Sequence, residues 1–143
     1  MAELIFINDD VSADSLLDLY KNSDAMVLPS RGEGFNLPAA EAIAAGLKLI
    51  VTGYGGHMDY CYPGSARFIK YRFERSQYQV TDGESLWAEP ELDDLCAGLK
   101  EVMEGSFEVR QEAREKTLAA LRSERWIARI EDAVNSLVNM CFE

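Results

Sequence analysis

The stretch from Ala25 to Gly56 constrains this chain most, because it sets two short apolar runs around a glycine-bearing loop and a compact run of helix formers. Ala25-Met26-Val27-Leu28 is apolar and is stopped by Pro29-Ser30, which predicts a buried strand. In the polar loop that follows, Gly32 and Gly34 lack Cβ atoms, so the backbone there can approach a ligand closely. Asn36 predicts a helix cap. Leu37-Pro38 opens the helix where a missing proline N–H costs little, Ala39 to Ala45 continues it, and Gly46 ends it. Lys48 to Thr52 predicts the next strand.

The same alternation runs through the rest of the chain, with further strands expected at Leu4 to Asn8 and Ala66 to Tyr71. The fold class is therefore α/β: a partial doubly wound, Rossmann-like parallel sheet flanked by helices, in a single domain over residues 1–143. After Pro90 the pattern turns helical, over about 91–141. One apolar stripe joins Leu92, Leu95, Cys96, Leu99, Val102 and Met103, and another joins Ile127, Ile130, Val134, Leu137, Val138 and Cys141. Neither sustains several heptads, so both are expected to face a core, with a polar helix from Arg110 to Leu121 between them. Gln77 to Ser85 reads as a loop.

Ligands of such strand-loop-helix units sit beyond the carboxyl ends of the strands, where unpaired helix amides attract phosphate oxygens. Glu33 and Glu41 both fall there, the first on the loop and the second expected in the first helical turn. A carboxylate only accepts hydrogen bonds, so each suits a pair of hydroxyls, such as a ribose diol at Glu41 or sugar hydroxyls at Glu33. The loop amides from Gly34 to Leu37 would take remaining sugar oxygens or a phosphate. Arg31 and Lys48 are either phosphate contacts or solvated charges. His57, after Gly55-Gly56, is either a phosphate or sugar contact or a local cap or packing residue.

Composition narrows the partners. A formal net charge of −11 argues against general nucleic-acid or anionic-membrane binding, and no apolar run approaches the roughly 20 residues that cross a bilayer. Cys61, Cys96 and Cys141 lack Cys-x-x-Cys spacing, which fits a reducing cytoplasm; Cys96 and Cys141 are expected to be core residues. With one histidine, neither a zinc site nor a catalytic triad is expected. Basic residues gather from Arg67 to Arg75 with Phe68, Tyr71 and Phe73 interleaved, either a binding patch or, more economically from the alternation in Ala66 to Tyr71, a half-buried strand with a solvated face.

The composite string resembles the donor-site signature of retaining GT-B glycosyltransferases, in the glycogen-synthase-like and mannosyltransferase-like group. The Glu-x7-Glu motif is Glu33-Gly-Phe-Asn-Leu-Pro-Ala-Ala-Glu41, preceded by Leu28-Pro29-Ser30 and followed by Ala42 to Gly46, Ile50-Val51-Thr52 and Gly55-Gly56. Val11 to Ala25 is similar to the segment that enters the donor-site strand, and Trp87-Ala88-Glu89-Pro90 to a downstream element before a helix. Asn36 departs from the glycine of many relatives. The resemblance implies that Glu33 contacts the donor sugar, that Gly34, Phe35, Asn36 and Leu37 supply amides, and that Glu41 binds the ribose. It implies a nucleoside diphosphate sugar as donor, no obligatory metal, and hexose transfer to an acceptor hydroxyl.

The resemblance covers only the C-terminal part of a donor domain. The acceptor-binding domain would be supplied in cis or by a separate subunit, and Met1 is expected to mark a truncation or a separately encoded half. In the strand order 3-2-1-4-5-6 two strands would lie between Leu4 to Asn8 and Ala25 to Leu28. We expect the chain either to rearrange so that those strands pair or to fill the gap by edge addition, including homo-oligomers. The alternatives are a non-catalytic binding or assembly module and another GT-B enzyme, such as a sugar-nucleotide epimerase or a trehalose-phosphate-synthase-like transferase.

Overall fold

A central strand buried along nearly its whole length organises the chain, in a computed structural model that describes residues 3–76 and 85–122. In chain order the elements are α1 (Ala13–Lys21), β1 (Ala25–Leu28), α2 (Leu37–Ala45), β2 (Lys48–Thr52), a 3-10 turn (Gly56–Asp59), β3 (Arg67–Ile69), β4 (Tyr71–Arg75), β5 (Leu86–Pro90), α3 (Leu92–Met103) and α4 (Gln111–Ala120). Strands β1, β2 and β3 form a parallel sheet in that order, with Val27 opposite Ile50 and Val51 opposite Phe68. The α/β class and the parallel sheet flanked by helices are thus as expected.

β2 is apolar without alternation because both its faces are covered. Leu49 and Val51 join Ala39, Ala42 and Ile43 of α2 in the main core, together with Tyr60, Cys61 and Ala66. Ile50 points the other way, toward α3, where Gly98 leaves room for it and for the Arg67 side chain. Each fully buried Ile, Leu or Val contributes about 1.5–3 kcal/mol, so this strand and α2 carry much of the stability.

Four expectations change. Leu4 to Asn8 is not a strand: the segment pairs with nothing, and Leu4 and Phe6 are 76% and 77% exposed. A strand needs a hydrogen-bonding neighbour, and among the described residues β1 pairs only with β2, so the expected rearrangement does not close the sheet. Ala66 to Tyr71 is not one strand either. The backbone leaves the parallel sheet at Lys70, whose N–H donates to Asp94, and continues as β4, which pairs antiparallel with β5 in a separate two-stranded sheet. The first apolar stripe is only partly a core face. Leu92, Cys96 and Met103 are exposed, because α3 turns Gly98 and Asp94 toward the sheet to receive Arg67. Cys61, by contrast, is buried, which pushes its thiol up to about 12 and leaves it inert.

The second apolar stripe, Cys141 and most of the loop from Gln77 to Ser85 lie outside the described residues. Among the described residues, no helix is long and apolar enough to cross a membrane.

Candidate functional site

The loop between β1 and α2 is built around one residue held in a left-handed conformation. Asn36 has φ 64° and ψ 65°, a region that costs most side chains about 1–2 kcal/mol and that asparagine tolerates better than most. It is the one non-glycine residue with positive φ among those described. This accounts for the departure at that position: where the resemblance calls for glycine, asparagine meets the same backbone demand.

Three contacts hold the turn. The Asn36 Oδ1 atom accepts from Ala39 N–H at 3.3 Å, which caps α2. Tyr60 Oη lies 2.7 Å from the Asn36 carbonyl and 3.0 Å from that of Phe35, and its single proton is shared between them. Burial pushes this phenol's pKa well up, so it stays a donor. His57 stands behind Asn36, with Nε2 2.7 Å from the Thr52 carbonyl and Nδ1 3.4 Å from the Asn36 amide nitrogen. A carbonyl only accepts, so Nε2 carries the proton and Nδ1 faces the Asn36 N–H. His57 is fully buried, so it stiffens the turn from inside and presents no face to a ligand.

Replacing Tyr60 with phenylalanine leaves the Phe35 carbonyl without this donor and removes one partner of the Asn36 carbonyl. We expect a loss of about 1–2 kcal/mol in denaturant unfolding. Amide exchange should quicken across 34–37 while that of β2 follows only the global change.

Glu33 sits on the outer side of this turn. Its Oε1 accepts from Ser30 Oγ at 2.8 Å, and its carbonyl accepts from Gly56 N–H at 3.0 Å. Its remaining carboxylate capacity faces solvent. The N–H groups of Gly34, Asn36 and Leu37 donate to no group among the described residues, so the turn presents unspent donors beside an acidic acceptor. Nothing lies within 4 Å of an ideal Cβ at Gly32 or Gly34, so these two keep open space in front of the loop. The glycines that pack against this loop are instead Gly55 and Gly56.

Glu41 is placed differently from the expectation. With the cap at Asn36 it lies in the second turn of α2, not the first. Its Oε2 accepts from Tyr20 Oη at 2.9 Å, and it lines a groove between α1 and α2 with Leu16, Leu17 and Ala44. Burial and this bond raise the Tyr20 phenol to about 12, so the hydroxyl remains a donor at any physiological pH. Glu33 is thus tethered to Ser30 on the turn itself, while Glu41 is tethered to Tyr20 in the groove between α1 and α2.

The two candidate cations do not join them. Arg31 forks onto the Glu89 carboxylate and stacks on the Trp87 ring, 4.7 Å from its centroid. Lys48 begins β2, the far end of a five-residue strand whose other end leads to the site, some 13 Å away, and it lies 3.7 Å from Glu108. Sequence reasoning missed Tyr20 and Tyr60 altogether. Their partners lie 21 to 25 residues away, and no local pattern marks a tyrosine as a clamp.

A strand, a capped turn with free amides and an acidic acceptor, and a helix make up the candidate site. Residues 3–77, just over half the chain, match the family described as glycosyl transferases group 1. The chain belongs to that family. An uncharacterized glycosyltransferase of Methanocaldococcus jannaschii is 45% identical over 49 residues, covering 34% of this chain and 13% of that protein. This group 1 chain thus spans a small part of the length of that relative. The family match takes in β1, α2, β2 and β3 and stops just after β4, so the whole candidate turn belongs to the shared portion.

Proposed function

We propose that this chain holds the donor in a retaining glycosyl transfer from a nucleoside diphosphate sugar to an acceptor hydroxyl. The observation that carries the reading is the clamped Asn36 turn, which leaves the Gly34, Asn36 and Leu37 amides unspent beside the Glu33 carboxylate. In this reading Glu33 accepts from hydroxyls of the donor sugar, and the amides of Gly34, Phe35, Asn36 and Leu37 take sugar and phosphate oxygens. Glu41, steadied by Tyr20, accepts from the ribose diol.

Catalysis would then be positional and electrostatic. As the glycosidic bond breaks through an oxocarbenium-like state, negative charge grows on the departing diphosphate, and preorganised amides at a helix start stabilise it. The acceptor attacks on the face the leaving group vacates, which retains configuration. The two glutamates orient the donor and do not serve as a glycosidase acid and nucleophile. The reading needs no obligatory metal, and the thiol pattern suits the cytoplasm.

A second reading is favoured by the open edge of β1 and the apolar face of α1 beside it. Leu16 and Leu19 of α1 overhang Ala25, Met26 and Val27 in a groove that no described element fills. In this reading the chain is a donor-binding or assembly module, and a strand supplied in cis, by a separate acceptor-domain subunit or by a second copy completes the sheet and the phosphate clamp.

Calorimetric titration with UDP-, GDP- and ADP-sugars, with and without candidate partners, tests both. Glu41→Ala should weaken nucleotide binding about tenfold or more, the worth of hydrogen bonds to a charged group. Glu33→Ala should leave that affinity near wild type and impair transfer. Unchanged binding and turnover in both variants removes the assignment. Turnover by the chain alone removes the module reading.

A further inference from the structure

Beside the Glu33 turn stands a cluster of three aromatic rings that neither the fold nor the donor site uses. Tyr54, Tyr71 and Phe73 lie with ring centroids 5.2 to 5.4 Å apart, two of the three pairs close to edge-on. The cluster faces solvent: Phe73 is 53% exposed and Tyr54 is 40% exposed. Neither tyrosine hydroxyl has a hydrogen-bond partner among the described residues.

The backbone fixes where this surface sits. Tyr54 is bracketed by two close approaches. At Gly53 an ideal Cβ would meet Tyr71 Cε1 at 4.0 Å, and at Gly55 one would meet the Glu33 carbonyl at 3.3 Å. The β4–β5 pair is joined to the same loop, since Ala88, opposite Phe73, donates its N–H to the Arg31 carbonyl at 2.9 Å. Tyr54 thus borders the Glu33 turn directly, and Tyr71 and Phe73 are carried on a hairpin bonded to that turn.

We propose that Tyr54, Tyr71 and Phe73 form a subsite for a neutral saccharide ring next to the donor sugar, the position of an acceptor. This rests on the donor reading above. A pyranose has one face of C–H groups and a rim of hydroxyls. Exposed rings offer the first a nonpolar, electron-rich surface, and the two phenols offer the second a donor and an acceptor each. Three rings on one face of a two-stranded ribbon are too small for a stable protein interface, which buries about 800 Å² on each partner. A sugar ring matches their scale.

Saturation-transfer NMR on the full chain with neutral glucose- and mannose-based trisaccharides, each up to about 10 mM, tests this. Transfer should reach sugar C–H protons, with ring shifts at Tyr54, Tyr71 and Phe73. Phe73→Ala should weaken binding about tenfold, and Phe73→Leu, which keeps apolar bulk without a ring, should weaken it similarly. Both variants should keep wild-type affinity for nucleotide sugars. No transfer to any trisaccharide, or wild-type saccharide binding in Phe73→Leu, overturns the subsite while leaving the donor reading intact. Saccharide binding through these rings without nucleotide-sugar binding would do the reverse.

Discussion

Gly56→Ala will unfold the Asn36 turn or the whole chain. An ideal Cβ at this position falls 1.5 Å from the Gly34 carbonyl oxygen and 2.6 Å from its carbon, so the clash is with backbone and no side chain can swing aside. Relief requires parting the 55–56 segment from the 33–35 loop. That breaks the Gly56 N–H bond to the Glu33 carbonyl and shifts the neighbouring His57 and Tyr60 supports. We expect at least about 3 kcal/mol lost in denaturant unfolding, at the upper end for overpacking. Nucleotide-sugar binding should be lost under conditions where the variant remains folded. Gly32→Ala is the control: it meets nothing within 4 Å and should match wild-type stability. A Gly56→Ala protein with wild-type stability and binding would show that the 33–35 loop does not pack on residue 56.

The second large effect is expected at Arg67, which ties β3 to α3. Its guanidinium makes a bidentate contact to Asp94 at 3.0 and 3.1 Å and reaches Glu101 at 2.8 Å, with Arg67 and Asp94 side chains only 18% and 13% exposed. The carboxylates raise the Arg67 pKa further, and the Arg67 bonds hold the Asp94 carboxyl below the usual carboxylate range. Arg67→Met removes the charge but keeps the stem that packs on Gly98, leaving two carboxylates facing each other without a cation. We expect a cost of about 2–3 kcal/mol, below the range for fully buried pairs because Glu101 is partly solvated.

The acid dependence has a definite sign. Asp94 is harder to protonate folded than unfolded, so its contribution is complete above about pH 4 and is lost as pH falls through the depressed folded value. Urea midpoints of the wild type should therefore drop below about pH 4, and those of Arg67→Met should drop much less. A parallel fall in both would assign the acid sensitivity elsewhere.

The parts of the fold that local chemistry decides could be read from the residues. Pro29 and Gly46 bound β1 and α2, and Asn36 and Leu37-Pro38 mark the helix start, because stops and caps act within a few positions. What partners decide could not be read. Leu4 to Asn8 has strand composition, yet composition alone does not make a strand: the outer edge of β1 stays open and this segment does not pair with it. Cys96 was expected inside because it recurs at helical spacing, but the face α3 buries is set by Arg67, a residue of a different element. In the site, Glu33 and Glu41 stood out by the whole string around them, since two glutamates at that spacing mean little in a chain with 25 acidic residues. Their tethers, Ser30 and Tyr20, and the Tyr60 clamp depend on contacts that only the folded chain makes.

The hydrogen bond from Ala88 to the Arg31 carbonyl has a mechanical meaning. It welds the small antiparallel sheet to the glutamate loop along its outer edge, and the Arg31 fork on Glu89 braces the joint. Parting the loop from the small sheet therefore costs both of these contacts at once, so the two move apart only against that loss.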